Sequence, residues 1–387
     1  MIFVIFAEAM RHNLLLLPLL LLAALPAKAQ EKQPSWLVRT ATNLFKSLTS
    51  PKKYLDSTYV LQPTLKWTVA AEGEVIHTGA DLHSNLTVTD LIQDDGDILY
   101  GRMDTGIEDR PCWKVGLAAA YGSLRLGYGL QLNKKEGEHN RYFSFGFSLG
   151  SFGFRSRYVR VFQNPTGVFA LGDSDPIYLS SNHPGEMRNL SLYGYYAFNR
   201  RRFVYTATQD GRTLQRRSAG SWMVSAKFLR GSFFLNPEDS MWSILSDLRG
   251  YTTQQFSLGG GYSFNWVLFH RDPADPVSMA GLRNFTINVT ALPMISFLNG
   301  IHTEQGQGDE LTKIRHRGQP ALAPYVSGAL CYTLGRCSIC ANVSYDRFGF
   351  QGVKTTVSSS DELLRTDVRT EGVFHDLTLQ AKVNVRF

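Results

Sequence analysis

Asp376-Leu377-Thr378-Leu379-Gln380-Ala381-Lys382-Val383-Asn384-Val385-Arg386-Phe387 ends the sequence with an apolar residue at every second position. Successive side chains of an extended strand point to opposite faces. One face therefore carries Leu377, Leu379, Ala381, Val383, Val385 and Phe387, and the other Asp376, Thr378, Gln380, Lys382, Asn384 and Arg386. A strand that is apolar on one side and polar on the other along a dozen residues suits a wall between lipid and water. The edge strand of a water-soluble β-sandwich would show the same alternation, so the reading depends on what the rest of the chain repeats.

Similar ladders recur upstream. Leu124, Leu126, Tyr128, Leu130 and Leu132 alternate with Arg125, Gly127, Gly129 and Gln131, behind a Gly122-Ser123 pair suited to a two-residue turn. Phe143 to Leu149, Phe152 to Phe162, Leu190 to Phe198, Trp222 to Phe228 and Phe256 to Leu268 follow the same period. Runs of roughly 9 to 13 residues match a tilted membrane strand. Further runs lie at 65–71, within 86–103, at 113–121, at Phe203, Tyr205 and Ala207, and at 285–297, 325–333 and 339–345. About fourteen segments result, of which about two are expected to be false. The fold expected is all-β, a transmembrane antiparallel up-and-down β-barrel of twelve strands, with fourteen as the alternative. The count is even because both termini of such barrels lie on one side of the membrane. Counted back from Phe387, the long loops near 351–373, 299–320 and 235–253 fall outside and the tight turn 334–336 inside. The stretch 164–188 then falls on the inner side, which implies either a miscounted strand or a segment folded into the lumen as a plug.

The N-terminus carries an address. Leu14 to Leu25 are almost wholly apolar, follow Arg11 and His12, and precede Ala27-Lys28-Ala29, the small-x-small pattern cut by signal peptidase. Residues 1–29 are expected to be a signal peptide cleaved after Ala29, since a dozen apolar residues fall short of the roughly 20 that span a bilayer as a helix. Residues 30–57 would form a periplasmic N-terminal segment, with Trp36, Leu37, Leu44, Phe45 and Leu48 at helical spacing, and 58–387 the barrel. The hydrophobic fraction of 43% and mean hydropathy of -0.16 are unremarkable because alternation averages out. The 24 Phe, 17 Tyr and 34 Gly fit aromatic girdles and crowded strands better than helices. A formal net charge of +7 without any Lys/Arg run argues against nucleic acid as a partner. The expected location is the outer membrane of a Gram-negative cell envelope.

Four segments resemble the four-four-two-one domain-of-unknown-function family. They are Tyr54-Leu55-Asp56-Ser57-Thr58-Tyr59-Val60, the stretch from Tyr195 to Tyr205, Gln215-Arg216-Arg217-Ser218-Ala219-Gly220-Ser221, and Gly260-Gly261-Tyr262-Ser263-Phe264-Asn265. The resemblance covers about residue 54 to the C-terminus. It implies a secreted outer-membrane barrel and no particular activity. The cysteine cluster and the long 235–253 loop depart from the family's pattern.

With the apolar alternates facing lipid, Lys66, Lys114, Arg125, Arg155, Arg157, Arg202, Lys227, Lys382 and Arg386 are expected to line the lumen, against few acids such as Asp346 and Asp376. Excess inward positive charge favours small anionic solutes if water fills the lumen. The opposing reading is that these side chains pair with neighbours and fill a narrow barrel. A two-residue turn at Gly335-Arg336 sets Cys331 opposite Cys340 at a non-hydrogen-bonded site, where a disulfide is geometrically allowed. A zinc site at Cys337 and Cys340 is disfavoured, since no His pair lies nearby. The sequence suggests no catalytic, metal or cofactor site. An alternative function, a lipid-active outer-membrane enzyme of phospholipase or acyltransferase type, rests on Ser181, Asn182 and His183 or on His270 beside Asp272, none in a nucleophile motif. Expected partners are outer-membrane lipid and lipopolysaccharide, and the barrel assembly machinery, for which Phe387 resembles the recognition signal.

Overall fold

The computed structural model describes residues 54–90, 98–108, 112–132, 141–149, 151–164, 166–171, 175–180, 183–234, 236, 248–275, 277–305, 312–358 and 364–387. They belong to the compact unit Lys52–Phe387. The expected signal peptide and most of the N-terminal segment, residues 1–53, lie outside them.

After a short β1 (Val60–Leu61), β2 (Trp67–Asp90) rises along the wall and β3 (Ile98–Glu108) with β4 (Cys112–Tyr121) returns beside it. β5 (Leu124–Gln131), β6 (Arg141–Leu149) and β7 (Phe152–Gln163) follow as a meander. A hairpin of β8 (Thr166–Leu171) and β9 (Ile177–Ser180) intervenes before β10 (Gly185–Ala197) descends on β7. The segment 199–218 holds a single-turn helix α1 (Ala207–Asp210) and β11 (Leu214–Gln215), and leads to β12 (Ala219–Phe234). Then come β13 (Leu248–Arg271), β14 (Arg283–Leu292) with β15 (Met294–Gln305), β16 (Thr312–Gly318) with β17 (Ala321–Leu322) and β18 (Tyr325–Leu334), β19 (Cys337–Ser358) and β20 (Leu364–Arg386). β20 pairs antiparallel with β2 from Arg386↔Thr68 to Leu364↔Asp90, which closes the sheet. Collinear pieces counted together, this is a closed antiparallel barrel of twelve strands. The β20–β2 pairing joins the two ends of the wall, so the β-sandwich alternative falls away.

The barrel is inside-out relative to a water-soluble protein. On β12, Trp222 is 67% exposed while Lys227, on the opposite face, is 1% exposed. Exposed apolar residues such as Leu117, Leu130, Val289, Leu330, Leu379 and Val383 stud the outer face, whereas Thr286, Asn288, Thr290, Ser338 and Asn384 are buried inside. Among the described residues no helix is long and apolar enough to cross a membrane.

One end, the turn end, holds Phe387 and the tight connections. Gly122 (φ 58) and Gly335 (φ 56) make the two-residue turns expected at these positions. Phe387 donates its backbone N–H to the Trp67 carbonyl at 2.9 Å, so the final residue sits on the seam. At the other end, the loop end, β8 pairs with β3 from Gly101↔Leu171 to Gly106↔Thr166. Pro293 cannot donate to the ladder and separates β14 from β15. Opposite it the strand carries Gly259-Gly260-Gly261, and a Cβ on Gly261 would lie 2.0 Å from the Ala291 carbonyl oxygen.

Two expected strands are corrected. The run at Phe203, Tyr205 and Ala207 lies within the 199–218 segment, and the described parts of 86–103 belong to β2 up to Asp90 and to β3 from Ile98, not to a separate strand. Removing both gives twelve strands and moves 164–188 to the loop end. The segment inside the lumen is therefore 199–218, not 164–188.

Candidate functional site: a plug seated in the lumen

The connection from β10 to β12 spans Phe198 to Ser218, whereas the turn-end connections β4–β5 and β18–β19 use two residues each. It turns at once into the barrel. Asn199 is fixed at the mouth by its backbone N–H to Ser221 Oγ (3.0 Å) and its amide to the Gly220 carbonyl (2.9 Å). Phe203 and Tyr205 are 1% and 2% exposed and pack with Tyr193, Tyr195, Met223, Leu292, Met294 and Tyr325. The Tyr205 ring meets Tyr195 edge-on at 4.7 Å. Burial of these aromatic faces contributes on the order of 2 kcal/mol per ring to the seating.

Gln215, fully buried, joins the limbs of the plug. Its amide nitrogen donates to the carbonyls of Arg202 (2.6 Å), Arg217 (3.0 Å) and Tyr59 (3.3 Å), and its oxygen accepts from Val204 N–H (3.3 Å) and Asn265 Nδ2 (3.3 Å). Asn265 also donates to the Val204 carbonyl (2.9 Å), and Asn284 donates to the Gln215 carbonyl (2.8 Å). β1 pairs with β11 through Val60↔Gln215 and Leu61↔Leu214, so the N-terminal limb lies on the plug. All four segments that carry the family resemblance meet here.

Helix α1 ends at Gly211 in the left-handed conformation (φ 61), against the wall. A Cβ on Gly211 would lie 2.7 Å from Ser338 Oγ and 3.1 Å from Cys331 Sγ. The carbonyls left open at a helix C-terminus attract cations. Here Lys382 Nζ and Asn342 Nδ2 each donate to the Gln209 carbonyl at 3.1 Å, and an Arg386 guanidinium nitrogen donates to the Gly211 carbonyl. Burial would raise the Asp210 carboxyl, but the Arg212 guanidinium at 2.6 Å holds it below the ordinary carboxylate range. Arg212 also donates to the Leu124 carbonyl at 3.1 Å, tying the plug to the β4–β5 turn.

Of the nine basic residues expected in the lumen, seven point inward. Lys114 pairs with Glu74 (2.6 Å), Arg125 with Glu72, Arg157 with Asp376 (3.1 Å) and Lys227 with Asp346. Arg155, Lys382 and Arg386 have no carboxylate within ion-pair distance among the described residues, and all three bond to the plug, Arg155 through Gln209 Oε1 at 3.3 Å. Lys66 and Arg202 are corrections. Lys66 precedes β2 and is exposed at the turn end, and Arg202 sits at the plug mouth, 57% exposed, near Asp56 (3.7 Å) and over the Tyr59 ring (4.9 Å). Glu72, Glu74 and Asp210 were missed by the sequence reading, although Thr68, Ala70, Glu72 and Glu74 continue the polar face of β2. Toward the loop end apolar side chains join buried polar ones such as Thr78, Asn189, Thr253, Gln255 and Asn299 in the interior. Ile76, Val159, Val161, Met187, Leu229, Phe233, Ile301 and Phe374 are each at most 2% exposed.

Cys331 and Cys340 lie directly opposite each other, with Cα atoms 4.0 Å apart and a disulfide between them. Cys337 is free and exposed, and no group of three metal-ligating side chains occurs among the described residues. His270 is held at both ring nitrogens, Nε2 by Asp272 (2.9 Å) and Nδ1 by Asn284 Nδ2 (3.1 Å). Asp272 in turn pairs with Arg216 at 2.5 Å. The three thus clamp the outgoing limb of the plug. Ser181 and Asn182 lie outside the described residues.

A closed barrel with an apolar outer face and a segment of its own chain seated inside defines a plugged membrane-type β-barrel. The chain belongs to the family described as "Domain of unknown function (DUF4421)", whose model matches residues 102–361, more than half of the chain. No curated protein matches. Among solved structures, the outer membrane protease OmpT from Escherichia coli is similar with a TM-score of 0.40 and 10% identity, covering 86% of this chain and 100% of that one. A bacterial polysaccharide outer membrane secretin gives 0.30 and 9%, covering 82% and 98%, and the beta domain of the Bordetella autotransporter BrkA gives 0.29 and 11%, covering 80% and 99%.

Proposed function

We propose that this protein is an outer-membrane barrel of a Gram-negative envelope that passes no solute through its lumen and works as a binding barrel, through its loop end. The observation that carries this reading is the filling of the interior at successive levels: the plug at the turn end, paired charges above it, then buried apolar and polar side chains. Among the described residues each inward lysine and arginine of the wall has a carboxylate or a plug oxygen as partner, which opposes drawing anions through water. The signal peptide 1–29, export, and assembly through Phe387 belong to the same reading, with the turn end in the periplasm. Beyond the membrane, the tall strands β2, β3, β13, β19 and β20 build a sheet suited to holding a partner or surface glycan.

The lipid-active enzyme is less well supported, because both nitrogens of His270 are engaged in structure. Proteoliposomes of the folded chain are the test. No swelling in small neutral or anionic solutes, and no lipid hydrolysis or transfer, supports a closed binding barrel. Swelling would restore the pore, and lipid turnover lost on His270→Ala or His183→Ala would establish the enzyme.

A further inference from the structure

The outer wall repeats a spacing that the barrel's interior does not explain. On four strands an arginine stands eight residues from an exposed apolar residue near the turn end: Phe152 and Arg160 on β7, Tyr196 and Arg188 on β10, Trp222 and Arg230 on β12, Ile339 and Arg347 on β19. Eight is even, so each pair shares the outward face. Eight residues rise about 27 Å along a strand and about 20 Å along the axis at a tilt near 40°. That height approaches the roughly 25 Å apolar band between the interfaces of such barrels. The arginines thus stand at headgroup level on the loop-end side.

Three of them gather on adjacent strands. Arg188 is directly opposite Arg160, and Arg230, opposite Leu190, is one diagonal step away. The register also sets Arg141 opposite Arg160 on the far side. Like charges directly opposite destabilise a sheet, so the arrangement calls for an anion. Glu186 supplies part of it. Arg188 donates to both its oxygens at 2.6 and 2.7 Å, and Arg160 Nε donates to one of them. Glu304 acts on Arg188 from farther away. The Phe162 and Phe234 rings lie beneath the Arg160 and Arg188 guanidiniums at 4.7 and 5.4 Å. Carboxylate and rings hold the two forks in place while Arg188 stays 45% exposed. Among the described residues three guanidiniums outnumber the carboxylates Glu186 and Glu304, which leaves a positive, pre-oriented surface facing outward.

We propose that Arg160, Arg188 and Arg230 form a site for the phosphate of an anionic membrane lipid in the leaflet around the loop end. Guanidinium forks match phosphate oxygens in pairs, and partial desolvation beside the apolar belt strengthens each contact. The site rests on the outer-membrane reading above and names the lipid chemistry that the barrel would hold.

The folded mature chain, the R160Q/R188Q/R230Q variant and an R200Q control at the turn end would be compared by native mass spectrometry from neutral detergent. The probes are bisphosphorylated lipid A, phosphatidylglycerol and phosphatidylcholine, with inorganic phosphate as competitor. The wild type and R200Q should retain the anionic lipids about tenfold more tightly than the triple variant, with phosphatidylcholine not retained and inorganic phosphate not competing. Equal retention by all three chains would overturn the site, and displacement by inorganic phosphate would make it a free-phosphate site instead. If the triple variant does not fold, R230Q alone should lose about threefold. Insertion into vesicles, read by heat-modifiable migration, is scored separately. A chain that inserts but retains no lipid refutes the site alone, and one that never inserts refutes the membrane reading.

Discussion

Gly211 concentrates three demands in one residue. It ends α1 at positive φ, its Cα faces Ser338 and the Cys331 sulfur, and its carbonyl receives Arg386. A β-branched residue fits none of them. Gly211→Val should cost roughly 2 to 3 kcal/mol from the left-handed backbone and the lost contact. It should also expose the bond after Arg212, only 12% exposed in the wild type, to trypsin. Wild-type resistance at Arg212 in the variant would argue that Gly211 does not hold the seat. Some of this was legible from sequence. The Gly122 and Gly335 turns and the facing of Cys331 and Cys340 follow from spacing along a single hairpin. The pairing of Arg125 with Glu72, or Lys382 with the plug, depends on neighbours set only when the barrel closes, beyond the reach of any local pattern.

At the scale of elements, the strands were legible because a lipid-facing wall enforces a period of two. The plug was not, because Phe203, Tyr205 and Ala207 imitate that period while packing against tyrosines inside the barrel. The cost was a spurious strand, which inverted the placement of every loop before it. Two tests belong here. The β18–β19 hairpin should carry a disulfide, so the intact chain should mass two hydrogens less than its reduced form, with Cys331→Ser and Cys340→Ser each lowering stability by about 2 kcal/mol. Recovery of both residues as free thiols from protein folded under oxidising conditions would remove it. The plug should also respond to acid with a definite sign. Asp210 titrates below its unfolded value of about 4, so its contribution is fully present above that value and is lost as pH falls through the lower folded one. Opening of the plug, read as the loss of hydrogen-exchange protection of 203–215 relative to the intrinsic rate at each pH, should stay slight to about pH 5 and rise below pH 4. Asp210→Asn should flatten that rise, and an unchanged profile would assign the acid response elsewhere.

For the whole molecule, the distribution of polarity settles how the chain meets its surroundings. Outward apolar residues and inward polar ones require a lipid exterior, and the interior so formed is consumed by its own chain. Five carboxylates, Glu72, Glu74, Asp210, Asp346 and Asp376, neutralise five cations, and the plug's oxygens take the three others. A basic lumen inferred from cations alone therefore becomes a filled one once their partners are placed. Single-channel recording of folded residues 30–387 in a planar bilayer tests this most directly. A lumen closed by the seated 199–218 segment gives no steady current from a chain verified as inserted, whereas a stable anion-preferring conductance would contradict the seating and return the inward arginines and lysines to the walls of an open pore.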